Sequence, residues 1–222
     1  ADYEIVEDSW NVMGLKGTGS KDIIVSDALV PDYRVLNATK VFDGTAAQEA
    51  GRDEALYRMP WSAIFPVALT AAVVGICEGA LECHFEYQAT RTSIVGPMSK
   101  NPYLSSRVGE AASEIHASRS QLLYNLSNMY QMAQKGVEIP LDMRVASRRD
   151  QVRAARRAVE ALDDIYVRSG GGATRDENSL AKRFRDAHTA INHTIFAADD
   201  MYHAYAAMMM GQAPTGITRL LV

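Results

Sequence analysis

Four stretches of roughly 25 to 35 residues repeat apolar side chains at three- and four-residue spacing, and each is closed by glycine or proline. A helix with one apolar stripe must bury it, and short connections make consecutive helices antiparallel neighbours, so the pattern constrains the chain to a helical bundle. The first helix is expected over about 60–91, with Pro66 in an early turn. It carries a small-residue row at Ala68, Ala71, Ala72, Gly75 and Gly79 that lets another backbone approach closely. The second follows Pro102 and extends to about Lys135 on Leu104, Val108, Ala111, Ile115, Leu122, Leu126 and Met129, with Gly136 as its stop. Pro140 suits the first turn of the third, which holds Val145, Val152, Ala155, Val159, Leu162 and Ile165 and ends at Ser169-Gly170-Gly171-Gly172. A fourth begins near Asn178 or Ser179 and runs through Leu180, Phe184, Ala187, Ile191, Ile195, Ala198 and Tyr202 to Gly211 and Pro214.

The front of the chain reads differently. From Tyr3 to Val35 short β-branched and aromatic runs (Ile5, Val6, Trp10, Val12; Ile23 to Val25; Leu29, Val30) alternate with Gly14, Gly17-Thr18-Gly19 and Pro31, a strand-and-turn pattern. Asn37 to Asp53 is small, polar and glycine-containing, and is expected to be a linker. The expected division is therefore 1–36 for the end of a β-region, 37–55 for the linker and 56–222 for the helical bundle.

Composition excludes several classes. With 47% hydrophobic and 23% charged residues the chain has the composition of a globular protein, and a net charge of −4 gives no footprint for nucleic acid. Cys77 and Cys83 lie six apart in a helical stretch and suit neither a disulfide framework nor a thiolate metal site. The chain opens on Ala1-Asp2-Tyr3 without a secretory signal pattern, and the most apolar run, Ala63 to Cys77, falls short of the about 20 residues that span a bilayer. No membrane partner and a cytoplasmic location are expected. The basic run Arg144, Arg148, Arg149, Arg153, Arg156 and Arg157 is followed by Glu160, Asp163 and Asp164, which suits a solvated or subunit-bridging face better than a nucleic-acid surface.

Several residues are candidates for chemistry, each with an ordinary structural reading beside it. Gly17, Thr18 and Ser20 lie in a glycine-rich turn whose backbone can approach a flat ligand, or which is simply a turn. Arg91 closes a helix where a guanidinium can reach a phosphate, though an arginine there also complements the helix dipole. The Gly170-Gly171-Gly172 loop offers free amides to an anion if a helix follows it, and is otherwise a helix stop. His188 and His193 are five residues apart, so on a helix they face different ways and chelate no common metal. Asp186, His193 and Asp200 fall at seven-residue steps, as a solvated row or a polar lining would.

The run Trp10-Asn-Val-Met-Gly-Leu-Lys-Gly-Thr-Gly-Ser-Lys-Asp22 with its following Val30-Pro31 resembles the middle-domain signature of the acyl-CoA dehydrogenase superfamily. Gln88-Ala-Thr-Arg91, Gly170-Gly-Gly172 and Arg183-Phe-Arg-Asp-Ala-His-Thr-Ala-Ile-Asn-His193 continue the likeness over essentially the whole chain. It is most similar to the branch of reduced-flavin-dependent monooxygenases that includes the hydroxyphenylacetate and secosteroid phenol hydroxylases. The resemblance implies a mainly α fold, a C-terminal four-helix bundle preceded by a fragment of a small β-domain, in a chain that is part of a longer subunit. It implies Arg91, Gly170, Gly171, Gly17, Thr18 and Ser20 as flavin contacts. Dehydrogenases of the superfamily follow Arg-Asp with a segment bearing a glutamate base, where this sequence reads His193-Thr194-Ile195-Phe196; the monooxygenase branch has a histidine. His193, with His188 second, is therefore the implied catalytic residue. The implied activity is hydroxylation of an aromatic, phenolic substrate with O2 through a flavin C4a-hydroperoxide, using reduced FMN or FAD from a separate flavin reductase, in a homotetramer. The alternatives are an FAD-holding acyl-CoA dehydrogenase with a displaced base, an N-oxygenase of an amino sugar, and a non-catalytic assembly module.

Overall fold

The structure is a computed structural model and describes residues 3–222; Ala1 and Asp2, the first two residues of the expected β-region, lie outside it. Strand β1 (Tyr3–Ile5) pairs antiparallel with β2 (Ile23–Val25) in the register Tyr3 with Val25, Glu4 with Ile24 and Ile5 with Ile23. Leu29 and Val30, expected to extend the β-region, form no strand: Asp27 takes a positive φ of 48° and a 3-10 turn occupies Asp32–Arg34.

The expected linker contains two short helices, α1 (Ala38–Asp43) and α2 (Thr45–Glu49). Local caps make them: Asn37 accepts from the Lys40 amide, Asp43 accepts from the Thr45 amide, and Gly44 at φ 86° turns the chain between them. The small polar residues that suggested a loop are here capping residues.

Helix α3 (Trp61–Thr90) follows Pro60 and keeps Pro66 within its first two turns. By length and composition α3 suffices to cross a bilayer, contrary to the expectation drawn from the shorter run Ala63 to Cys77; its Val73, Val74, Cys77 and Ala80 are packed in the bundle. A small hairpin, β3 (Thr92–Ser93) with β4 (Gly96–Pro97), leads into α4 (Pro102–Gln134), which Asn101 caps by accepting from the Tyr103 and Leu104 amides. Gly136, at φ 67°, follows the C-cap Lys135 and stops α4 as expected, and α5 (Leu141–Val167) runs back through the middle. Its Val145, Val152, Ala155, Leu162 and Ile165 are fully buried, with Ala154, Ala158 and Ala161 beside them, so both neighbouring helices approach over small side chains.

The fourth helix is not continuous. Helix α6 (Ser179–Ala190) stops, a 3-10 turn covers Thr194–Phe196, and α7 (Ala198–Met209) resumes, followed by a short α8 (Gly216–Leu221). The apolar spacing at Ile191, Ile195 and Ala198 suits one unbroken helix, but other contacts win. His193 is extended at ψ 139°, Phe196 is 1% exposed in the main core, and α5 supplies donors to the turn's carbonyls: Arg148 to Ile195 at 2.9 Å and Arg156 to Phe196 at 3.1 Å. The Asp186, His193 and Asp200 row therefore does not exist as one helical face.

The basic run on α5 is likewise not a single solvated face. Arg153 is exposed and pairs with Glu160, whereas Arg148 is buried and Arg144 donates to Ser62 Oγ and the Val222 carbonyl. Cys77 is buried, and burial with nearby Asp163 and Glu78 pushes its thiol up to about 12. Replacing Phe196 with alanine is expected to cost about 3–5 kcal/mol of stability, the range for emptying a buried aromatic site. Denaturant melts read this, and a loss below about 1 kcal/mol would show that the turn is not anchored by its side chain.

Candidate functional site

Arg91 and Gly170, far apart in sequence, meet at the end of the bundle where α3 and α5 both finish. Arg91 Nη1 donates to the Ser169 carbonyl at 2.6 Å and its guanidinium lies 5.6 Å from the Tyr87 ring centroid. Any side chain at Gly170 would overlap that guanidinium, and any at Gly172 would overlap Tyr87 Oη. Gly170 also adopts φ 74°, a region that L-residues with a Cβ rarely enter. Gly170 is thus favoured by its backbone conformation, whereas at Gly172 the neighbour is the far end of a tyrosine side chain that can shift.

The loop does not lie at a helix N-terminus. Gly171–Thr174 is a 3-10 turn, and α6 starts only at Ser179, where Asn178 accepts from the Leu180 amide at 2.9 Å. The anion-nest expectation for Gly170 and Gly171 fails on this point, while their neighbourhood with Arg91 stands.

Beneath Arg91, His84 is fully buried. Ser169 Oγ donates to the Ile165 carbonyl at 2.8 Å, so it accepts from His84 Nδ1 at 2.8 Å. This leaves His84 Nε2 as a bare, buried acceptor without a partner among the described residues, and both amide atoms of Gln88, one turn further along α3, are buried and unpartnered among them as well. Burial, with the Arg91 charge second, pushes the His84 imidazole below its ordinary value. An arginine with no carboxylate partner among the described residues, braced by a glycine turn over unpartnered buried polar atoms, fits the anionic end of a flavin.

A second cluster joins the N-terminal loop to α6. Leu15, in the left-handed region at φ 53°, donates its amide to Asp186 Oδ1 at 2.7 Å, while Asp186 Oδ2 takes Lys182 Nζ at 2.6 Å. Gly14 lies so close to the Arg185 carbonyl and Thr189 that no Cβ would fit. Burial alone pushes the Asp186 carboxyl up, but Lys182 and the Leu15 amide hold it on balance below the usual carboxylate range. Between loop and helix lies a cavity of about 380 Å³ lined by Gly17, Thr18, Lys182 and Arg185 among others. Ser20 is not part of that lining; its hydroxyl donates to Thr18 Oγ1 at 3.3 Å.

The two histidines have different surroundings. His188 Nε2 meets Asp163 Oδ1 at 2.6 Å and its ring lies 4.3 Å from Phe184, so it braces α6 against α5. His193 is exposed, and its Nδ1 accepts the Ile195 amide at 3.2 Å, an N-cap to the following turn. That leaves Nε2 without a partner among the described residues. No group of three or more His, Cys, Asp or Glu side chains among them is placed to hold a metal ion.

This architecture has known counterparts. The family described as acyl-CoA dehydrogenase, C-terminal domain, matches residues 67–198. The chain belongs to this family. Over 222 residues it is 46% identical to a pigment production hydroxylase of Rhodococcus erythropolis, covering all of this chain and 56% of that protein. It is 37% identical to the flavin-dependent monooxygenase oxygenase subunit HsaA of Rhodococcus jostii, again over all of this chain but 58% of that protein. The crystal structure of 3-HSA hydroxylase from Rhodococcus sp. RHA1 superposes with a TM-score of 0.91 at 33% identity, over 98% of this chain and 56% of that one. The chain therefore spans little more than half the length of these relatives. The mainly α, acyl-CoA dehydrogenase-type C-terminal bundle expected from the sequence is the fold observed.

His84, Gln88 and Ser169 were not among the sequence candidates. A signal was present: positions 73, 77, 80, 84 and 88 form one stripe of α3, and a histidine and a glutamine on an otherwise apolar stripe mark a buried polar site. The buried, neutral His84 makes stability pH-dependent. The unfolded chain takes up a proton at about pH 6.5 while the folded chain resists it, so this contribution is full above that value and is lost as pH falls below it. Urea melts from about pH 8 down to about pH 5 are expected to show that loss, and His84→Gln is expected to flatten it. An unaltered acid limb in the variant would remove His84 as its source.

Proposed function

We propose that this chain is the C-terminal part of the oxygenase component of a two-component flavin-dependent monooxygenase. Its substrate is an aromatic, phenolic compound, and it works with O2 and reduced FMN or FAD delivered by a separate reductase, in the cytoplasm. The observation that carries this reading is the turn at His193: one ring nitrogen is tied to the backbone and the other is free. Similarity to the dehydrogenases would call for a carboxylate base there, and the chain offers His193-Thr194 instead. With Nδ1 capped by the Ile195 amide, the proton of a neutral ring lies on Nε2, which donates to oxygen and presents no lone pair to take a carbon-bound proton as a carboxylate would. The names of the relatives agree, since they are hydroxylases and monooxygenases.

When bound, reduced flavin supplies the activation of O2. The residues of this chain hold and shield it. Arg91, its guanidinium kept in place by the turn at Gly170, would meet a phosphate end, the loop at Gly17 and Thr18 would offer its backbone to the ring system, and His193 would donate a hydrogen bond to oxygen. A homotetramer is part of this reading. The exposed face of α3 carries Trp61 stacked on Phe65 at 4.3 Å and continues through Ala68, Ala72 and Gly75, a surface shaped for another helix. The bundle in this reading is residues 56–222, the β-region is 1–36, and the two short helices lie in the connection.

Stopped-flow mixing of the reduced-flavin complex with oxygen tests the function. A transient absorbance distinct from both reduced and oxidised flavin is expected, with hydroxylated product when a phenol is present; bleaching of bound FAD by an acyl-CoA would assign a dehydrogenase instead. Arg91→Ala is expected to weaken reduced-flavin binding by a factor of roughly ten or more, equivalent to about 1.4 kcal/mol per tenfold. Unchanged affinity in equilibrium titration would take Arg91 out of the site.

A further inference from the structure

Arg148 is 2% exposed and has no carboxylate within ion-pair distance among the described residues. Its three donating atoms all meet neutral acceptors: Nη1 the Gln151 side chain at 2.8 Å, Nη2 the Ile195 carbonyl at 2.9 Å, and Nε the Leu221 carbonyl at 3.1 Å. Burial pushes its guanidinium down to about 10, so it remains charged at neutral pH. Position 148 also falls on the stripe of α5 that holds Val145, Val152 and Ala155, where a leucine or methionine would bury without a desolvation cost. A charge kept there without a counter-ion calls for a use other than stability.

Its acceptor at Ile195 points to that use. The Ile195 amide donates to His193 Nδ1, and the Ile195 carbonyl is held by Arg148; Arg156 holds the next carbonyl, Phe196. An amide that donates into Nδ1 requires that nitrogen to be bare, which puts the proton of a neutral ring on Nε2. We propose that Arg148 is a positioning residue for His193: by gripping the Ile195 carbonyl from inside the bundle it fixes the turn that caps Nδ1, and so holds the imidazole as the Nε2–H tautomer in one orientation. The inference rests on the oxygenase reading for His193. Loosening the grip frees Nδ1, lets the ring take up either tautomer and rotate, and removes a pre-aimed donor.

Two readings taken without flavin test it: 15N NMR of the ring nitrogens above the ordinary histidine range, with His193 assigned by its loss in His193→Asn, and hydrogen exchange of the Ile195 amide. The wild type is expected to show the Nε2–H form alone at His193 and a protected Ile195 amide. A proton on Nδ1, or an Ile195 amide that exchanges freely, overturns the proposal whatever the variants do. In Arg148→Lys, which keeps a charge but cannot span the three acceptors, Ile195 exchange is expected to speed by roughly tenfold or more, with the second tautomer appearing. A folded Arg148→Lys with both readings unchanged overturns it. If Arg148→Lys does not fold, Gln151→Met removes the Nη1 acceptor, with the Gln151 donation to Ser147 Oγ, and leaves the Ile195 and Leu221 acceptors in place; a smaller rise in Ile195 exchange supports the proposal and no rise overturns it. His193→Phe keeps the two ideas separate. Oxygen chemistry unaffected by that change removes the catalytic role of His193 and with it any catalytic sense of the brace, whereas chemistry lost by it together with a wild-type Nδ1–H ring sinks the brace alone.

Discussion

Burial of α5 along nearly its whole length is the constraint on which the other elements depend. Ala154, Ala155, Ala158 and Ala161 leave it narrow enough for α3 and α4 to pack on it closely, while Val152, Leu162 and Ile165 fill the layers between them. A helix held this way becomes a rigid mount, and the groups that aim the candidate site hang from it in order. Arg148 and Arg156 grip the turn after His193, Asp163 pairs with His188, and Ser169, just past its end, joins His84 to the carbonyl that Arg91 holds. Function placed on such a scaffold can be set to fractions of an ångström, which a surface loop alone does not achieve.

The polar groups buried in this scaffold are costly, and the way each is satisfied separates stabilising from positioning roles. His188 with Asp163 and Lys182 with Asp186 are partly exposed hydrogen-bonded pairs, and in the second opposite charges offset part of the cost. Asp186 goes further, because its other oxygen fixes the Leu15 amide in a left-handed conformation and thereby ties the glycine-rich loop to α6. Arg148, His84 and Gln88 have no such offset: one is a charge among neutral carbonyls, and the others carry unpartnered atoms. Unfavourable groups retained next to Arg91 and His193, at positions where apolar residues would bury without a desolvation cost, concentrate at the two places proposed for flavin binding and catalysis.

Long-range periodicity made the first three helices readable before any coordinates, together with their stops at Gly136 and Ser169-Gly170. It misled at 191–197 for a physical reason. Ile191, Ile195 and Ala198 keep helical spacing, but the break is decided by arginine donors 47 and 40 residues away and by the burial of Phe196, none of which a local window contains. The 37–55 segment misled in the opposite way, since asparagine, aspartate and glycine mark a loop or cap a short helix equally well. At the site, resemblance named Arg91, Gly170, Gly17 and Thr18 as flavin contacts, but the meeting of Arg91 with Gly170 and of Asp186 with the Gly14–Thr18 loop was not expected, since nothing in the spacing brings residues 79 and 171 apart into contact. Arg148, His84 and Gln88 were visible in principle, as polar residues interrupting an apolar stripe.

The break in the fourth helix also explains how a histidine can be aimed at all at this place. Inside a helix the amide two residues on is already bonded to the carbonyl four before it, so an imidazole there has only its packing to orient it. Ending α6 at Ala190 frees the Ile195 amide, and an extended residue at 193 puts Nδ1 within 3.2 Å of it. The turn that results has little local stability, being three residues of 3-10 geometry, and needs support from outside itself. The inward-facing arginines of α5 supply that support. A continuous helix would keep more of its own backbone hydrogen bonds, but its histidine could hold neither a fixed tautomer nor a fixed direction; the interrupted helix, gripped at two successive carbonyls, does both.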